Sequence, residues 1–118
     1  MKKSVLVCDD EEGIRESLKL ILEKDYDVIF AVNGNEAIEK LKKGPVDLVI
    51  LDIKMPRMDG IETLKKLKAT RPDIKTIISS GYKSMETAKA ATDAGAVDYI
   101  VKPFNKTEIL ASVKRILA

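Results

Sequence analysis

The chain has 118 residues, 45% of them apolar and 34% charged, with a formal net charge of +2; these values predict one soluble globular domain over residues 1–118. Acidic and basic residues are interspersed, which argues against a nucleic-acid surface on this segment. No apolar stretch approaches the roughly 20 residues that span a bilayer, and the first residues do not resemble a signal peptide, so we expect a cytoplasmic protein without membrane contacts.

Five short runs rich in Val, Ile and Leu alternate with segments of helical periodicity. The runs predict strands buried on both faces, with the bounds Ser4–Cys8, Asp27–Ala31, Asp47–Leu51, Lys75–Ser79 and Asp98–Val101. After each run, apolar residues recur every three or four positions, which predicts five helices. Alternation with short connections indicates a doubly wound α/β domain, in which helices cover both faces of a five-stranded parallel sheet.

Polar residues mark the ends of several predicted helices. Asn33, Asp59 and Asn105 each precede a glutamate by three positions, the pattern of a residue that caps a helix start. Gly44 and Gly95 are expected to end the second and fourth helices in the left-handed conformation. These signals place the helix boundaries within a few residues.

The fourth helix, predicted from Ser84 to Ala94, has the weakest apolar face. Its inward positions are expected to be Met85, Ala88 and Ala91, which bury little area compared with the Leu and Ile stripes of the other helices. We therefore expect this helix to be mobile.

Polar side chains follow four of the five predicted strands. Asp9 and Asp10 come after the first strand, Asp52 after the third, Ser80 after the fourth and Lys102 after the fifth. Each alone is explained as readily by a helix cap, a turn or solvated surface. Because the carboxyl ends of parallel strands meet at one edge, the sequence predicts that these five residues converge there.

Three ionised carboxylates at one edge repel one another and need a cation or a shared proton. The chain has no histidine, which removes the commonest zinc ligand and general base. Its single cysteine, Cys8, excludes an internal disulfide and is expected to be a small buried side chain. Oxygen ligands alone favour Mg²⁺, with water and a backbone carbonyl completing its octahedron.

Four motifs carry a resemblance to a known family, and they read Val5-Leu6-Val7-Cys8-Asp9-Asp10-Glu11, Leu51 to Gly60, Ser79-Ser80-Gly81, and Asp98 to Phe104. On these residues the sequence closely resembles the receiver domains of two-component response regulators, over essentially all of its length. The resemblance implies a flavodoxin-like sheet with the strand order 2-1-3-4-5.

The resemblance also implies roles for the acidic residues. Asp52 would be the phosphorylation site and a ligand of Mg²⁺. Asp10 would bind the metal directly, Asp9 directly or through water, and Lys54 through its backbone carbonyl. Lys54 and Tyr82 would also flank the path of the water that removes the phosphoryl group.

Two further groups are implied by the same resemblance. Ser80 and Lys102 would bind phosphoryl oxygens, and a cis peptide between Lys102 and Pro103 would aim the ammonium into the site. Inward movement of Ser80 would let Tyr99 change rotamer. This switch would alter the surface formed by the fourth helix, fifth strand and fifth helix.

The expected function is phosphorelay signalling rather than turnover of a substrate, although the domain would assist its own phosphorylation and dephosphorylation. The phosphoryl donor would be a sensor histidine kinase or a phosphotransfer protein, and we expect at most a weak or phosphorylation-dependent homodimer. Two alternatives stay open. One is a binding module with this site that is never phosphorylated, and the other is an enzyme of the same architecture, whose usual nucleotide or phosphatase motifs the sequence lacks.

Overall fold

A computed structural model describes residues 2–53, 59–81 and 85–118 of the chain. Strands and helices alternate throughout, in the order β1 (Ser4–Cys8), α1 (Glu12–Leu22), β2 (Asp27–Ala31), α2 (Gly34–Lys43), β3 (Leu48–Asp52), α3 (Asp59–Thr70), β4 (Lys75–Ser80), α4 (Met85–Asp93), β5 (Asp98–Val101) and α5 (Lys106–Leu117). No helix in these ranges is both long enough and apolar enough to cross a membrane.

The five strands form one parallel sheet in the order β2-β1-β3-β4-β5. This confirms the predicted flavodoxin-like fold. β3 and β4 each reach one residue further than the sequence pattern indicated, so that Asp52 and Ser80 are the last residues of their strands. Both side chains therefore stand at the carboxyl edge of the sheet, where their backbones are held by ladder hydrogen bonds.

Side-chain alternation divides the core into two clusters, one on each face of the sheet. Val49 and Ile78 belong to the cluster covered by α2, α3 and α4. Their chain neighbours Ile50 and Ile77 belong to the cluster covered by α1 and α5. Because both faces are buried, the strands are nearly continuous apolar runs, as the sequence predicted.

Two of the predicted helix caps are confirmed. The Asn33 side chain accepts a hydrogen bond from the Glu36 amide at 2.8 Å, and that of Asn105 accepts one from the Glu108 amide at 2.7 Å. Asp59 is the first residue of α3 rather than the residue before it. The side chain of Asp59 lies outside the described part of the structure.

The two predicted helix-ending glycines behave differently. Gly95 has φ of 107° and is left-handed as expected. Gly44 is extended, with φ of −163°, so that prediction is wrong. The physical reason is Arg71, whose guanidinium donates to the carbonyls of Leu41 and Gly44 at 2.8 and 3.2 Å. A side chain that follows α3 thus satisfies a carbonyl of the last turn of α2, that of Leu41, which would otherwise need a partner from the cap.

The inner face of the fourth helix differs from the prediction at Met85, while Ala91 is buried as predicted. Met85 is 90% exposed, whereas Thr87 and Ala91 are buried and Ala88 is intermediate. The buried positions are four residues apart, so one narrow stripe of small side chains faces the sheet. The small buried area agrees with the prediction of a weakly packed helix.

Candidate functional site

Three carboxylates converge where β1 and β3 end. Asp9 and Asp10 directly follow β1, and Asp52 closes the neighbouring strand β3. Each offers an oxygen that lies within 4.8 Å of the others, with Asp9 buried and Asp10 exposed. The structure thus brings together the acidic residues that the sequence analysis selected.

Lys102 joins this cluster from the end of the edge strand β5, which is separated from β3 by β4. Its ammonium lies 2.9 Å from Asp9 Oδ2 and 3.0 Å from Asp52 Oδ1, and the side chains of Lys102, Asp9 and Asp52 are 14%, 3% and 9% exposed. The Lys102 amide donates to the Ser80 carbonyl at 2.6 Å, and the Lys102–Pro103 peptide is cis, as the resemblance implied. The lysine is therefore fixed at its backbone and paired at its head group.

Burial and the hydrogen bonds of Lys102 together set the pKa values of Asp52 and Lys102. Burial raises the pKa of the Asp52 carboxyl above its ordinary value, against the lowering effect of the hydrogen bond from Lys102. Burial acts to lower the pKa of Lys102, but hydrogen bonds to Asp9 and Asp52 outweigh it and raise that pKa. Lys102 is therefore a fixed positive charge at neutral pH, placed to receive negative charge.

The donor set fits a hard divalent cation. Three ionised carboxylates and one ammonium leave two negative charges in excess at this edge. The possible ligands are oxygens only, and the exposed Asp10 leaves room for water on the solvent side, both of which suit Mg²⁺. A cavity of about 240 Å³ adjoins the cluster and is lined in part by Asp9, Asp10, Asp52 and Gly34.

The loop that carries the two β1 aspartates is held in place by its own hydrogen bonds. Asp9 Oδ1 accepts from the Glu11 amide at 2.9 Å, and the Asp9 carbonyl accepts from the Arg15 guanidinium at 2.9 Å. Arg15 also lies over the ring of Phe30, 5.8 Å from its centre. The sequence analysis missed Arg15, because an arginine in the first turns of a helix gives no signal that separates it from solvated surface.

The two expected switch residues share one face of the sheet. Ser80 is fully buried at the end of β4, on the same side as Ile78. Tyr99 pairs in register with Ile78 and packs against the same cluster, with its side chain partly exposed. Lys54 and Tyr82, the residues implied for metal binding and hydrolysis, lie outside the described residues.

Cys8 lies beneath the acidic edge and is buried, as predicted. Burial raises the pKa of its thiol to about 12, and the charges of Asp9, Asp52 and Glu36 raise it in the same direction. The thiol therefore stays protonated at physiological pH and behaves as a small apolar side chain.

Comparison with known proteins gives a consistent result. The family model described as a response regulator receiver domain matches residues 5–114. The response regulator MprA of Mycolicibacterium vanbaalenii is 37% identical over 99% of this chain and 51% of its own length, so the chain spans about half of that relative. Sporulation initiation phosphotransferase F of Bacillus subtilis is also 37% identical, over 99% of this chain and 95% of its own.

A solved structure extends the likeness to three dimensions. The response regulator TrrA of Thermotoga maritima, in complex with Mg(2+)-BeF, superposes with a TM-score of 0.84. It is 40% identical in sequence, and the match covers 97% of this chain and 98% of that one.

Proposed function

The chain belongs to the response regulator receiver family, and from this membership we propose that Asp52 accepts a phosphoryl group in a Mg²⁺-dependent reaction within a cytoplasmic phosphorelay. Receiver domains act in phosphorylation-dependent signalling, so the chain is a signalling switch. The observation that carries the proposal is the convergence of Asp9, Asp10 and Asp52 on one another, with Lys102 paired to Asp9 and Asp52.

The transfer itself needs little beyond position and charge. A carboxylate oxygen of Asp52 attacks phosphorus, a P–O bond forms, and the P–N bond to the donor's histidine breaks, with the leaving ring nitrogen keeping the bond's electron pair and taking up a proton. Lys102 follows the charge that develops on the phosphoryl oxygens. The Ser80 hydroxyl donates a hydrogen bond to one of those oxygens after its loop moves inward.

Asp9, Asp10, Asp52 and the carbonyl of Lys54 would hold the metal ion. When bound, Mg²⁺ supplies charge neutralisation at the phosphoryl group. The TrrA complex with Mg(2+)-BeF supports this assignment, because that chain shares the fold and 40% of its sequence with this one.

A donor phosphohistidine would have to lie outside these 118 residues, which contain no histidine. A sensor histidine kinase or a phosphotransfer protein meets that requirement. An apolar groove of about 440 Å³ lies beside the site, lined by Leu20, Ile21, Phe104 and Lys102 itself. Leu20 is 73% exposed, which gives a docking helix an apolar contact next to the lysine that receives the phosphoryl group.

The output of the switch is a change of surface. Movement of Ser80 toward the phosphoryl group leaves space on the face it shares with Tyr99, and the partly exposed ring turns inward. This alters the surface of α4, β5 and α5 and would promote a phosphorylation-dependent homodimer or another output contact.

Intact-mass spectrometry tests the proposal. The protein incubated with Mg²⁺ and phosphoramidate, a small donor with a P–N bond, should gain the mass of one phosphoryl group, and Asp52→Asn should gain none. Asp47→Asn is the matched control, because Asp47 lies at the opposite edge of the sheet and accepts from the Ser4 amide. A wild-type protein that gains no mass, or an Asp52→Asn variant that gains it at the normal rate, would refute the proposal.

A further inference from the structure

Two buried hydroxyls have no hydrogen-bond partner among the described residues, and both lie on β4. They belong to Thr76 and Ser79, which are 0% and 1% exposed. A buried hydroxyl without a partner destabilises the folded state, because it has lost its bonds to water. Native structures keep few such groups, so each calls for a physical account.

The two hydroxyls point to opposite faces of the sheet. Thr76 is two residues before Ile78 and shares the face covered by α2, α3 and α4. Ser79 is two residues after Ile77 and shares the face covered by α1 and α5. In place of Thr76, a valine of the same shape would serve the core equally well. Ser79 has neighbours of a different kind.

Ser79 stands between the phosphoacceptor and its lysine. On one side it pairs in register with Asp52 of β3, and on the other with Ile100 of β5. Lys102 is two residues after Ile100 and therefore starts from the same face. Because β4 lies between β5 and β3, the Lys102 side chain must cross β4 to reach Asp52. On this face of the sheet the last residue of β4 is Ser79, which pairs in register with Asp52 itself.

In the proposed function, phosphorylation of Asp52 changes the hydrogen-bond acceptors of Lys102. An ammonium has three N–H donors, and in the described structure two of them point to Asp9 Oδ2 and Asp52 Oδ1. In the phosphorylated site one oxygen of Asp52 would be part of the acyl phosphate, and Asp9 would be a ligand of the metal ion. The ammonium then turns toward the phosphoryl oxygens, which changes the direction of all three of its N–H groups and lets one of them point to a new acceptor.

We propose that the Ser79 hydroxyl is a positioning group for Lys102, which accepts a hydrogen bond from the ammonium while Asp52 is phosphorylated. The proposal rests on the proposed function. It explains why a hydroxyl that destabilises the resting core is present at this place: the Lys102 ammonium turns into the orientation that bonds this hydroxyl only when the phosphoryl group is present. Ser79 is not among the residues proposed to hold the metal ion or to bind the phosphoryl group, and its proposed effect is exerted through Lys102.

The test compares two hydroxyl deletions on the same strand. Ser79→Ala and Thr76→Val each remove an unpartnered buried hydroxyl, and both should retain or raise the free energy of unfolding. With phosphoramidate and Mg²⁺, Ser79→Ala should be phosphorylated about fivefold more slowly than wild type, the effect of one ordinary hydrogen bond on a rate. Thr76→Val should react at the wild-type rate, and Ser79→Thr, which keeps the hydroxyl, should recover most of the rate.

A second measurement is the affinity for beryllofluoride with Mg²⁺, determined by calorimetry. A change in the stability of the core alone does not alter this affinity. It should fall about fivefold in Ser79→Ala and stay unchanged in Thr76→Val. Equal rates and affinities in wild type and Ser79→Ala would overturn the role of Ser79 while leaving phosphorylation of Asp52 intact. Equal losses in Ser79→Ala and Thr76→Val would overturn it as well. Failure of the wild-type protein to react would instead refute the proposed function.

Discussion

A largely buried basic side chain lies at the amino edge of the sheet, where the strands begin, and another at the carboxyl edge, where they end. The hydrogen-bond acceptors of these two side chains differ. At the amino edge, Arg71 donates to the carbonyls of Val46, Leu41 and Gly44 at 2.6, 2.8 and 3.2 Å. At the carboxyl edge, Lys102 donates to two carboxylates instead. Neutral backbone acceptors belong to the fold and cannot change partner. Carboxylate acceptors carry charge that can also interact with a metal ion or a phosphoryl group, which is why the proposed switch lies at the carboxyl edge.

The largest expected effect is on the phosphorylation rate, which should depend on Lys102 and not on Arg71. Lys102→Met should slow phosphorylation by phosphoramidate about 100-fold, because the developing phosphoryl charge loses its nearest cation. Arg71→Met, measured at a temperature at which it is folded, should react at the wild-type rate. Single-turnover kinetics followed by intact mass distinguish the two. A normal rate in Lys102→Met would remove the contrast between the edges.

The next largest effect is on the free energy of unfolding, which should depend on Arg71. Arg71→Met should lower the free energy of unfolding by about 3 kcal/mol, because it strands carbonyls at the end of α2 and in the loop before β3. Arg115→Met is the control, since Arg115 is 63% exposed and pairs with Asp98 at 3.0 Å on the surface. That variant should lose less than about 1 kcal/mol. Urea unfolding measures both, and equal losses would contradict a structural role specific to Arg71.

A smaller effect concerns pH. The pKa of Asp52 is raised in the folded protein, mainly by burial, so the folded state binds this proton more tightly than the unfolded chain does. The associated stability is present below the unfolded pKa and is lost as pH rises through the folded pKa. Asp52→Asn should therefore be more stable than wild type at pH 7, and the difference should vanish near pH 3. A variant that is less stable than wild type at neutral pH would contradict this reading.

Much of the site could be predicted because its residues follow the ends of strands that the sequence pattern locates. Runs of β-branched and other apolar residues locate the strand ends, and parallel geometry brings those ends to one edge. Asp9, Asp52 and Lys102 meet in space although Lys102 is 93 residues from Asp9 and 50 from Asp52. Their convergence followed from topology alone, without any knowledge of side-chain contacts.

The features that the sequence did not reveal depend on packing between distant segments. Arg71 ends α2 by reaching back 30 residues to Leu41, and a local pattern around Gly44 cannot show that. The inward face of α4 is set by its contact with the sheet, so the apolar but exposed Met85 misled the periodicity. In the sequence Ser79 looks like an ordinary strand residue, and only the sheet register shows that it pairs with Asp52.

Calorimetric titration with Mg²⁺ tests the central claim that carboxylates from two strands form one cation site. The wild-type protein should bind one Mg²⁺, and Asp10→Asn should bind it at least about tenfold more weakly, as expected when a ligand carboxylate loses its charge. Asp47→Asn, at the opposite edge, should match wild type. No measurable Mg²⁺ binding by the wild-type protein, or equal affinity in Asp10→Asn, would contradict the account.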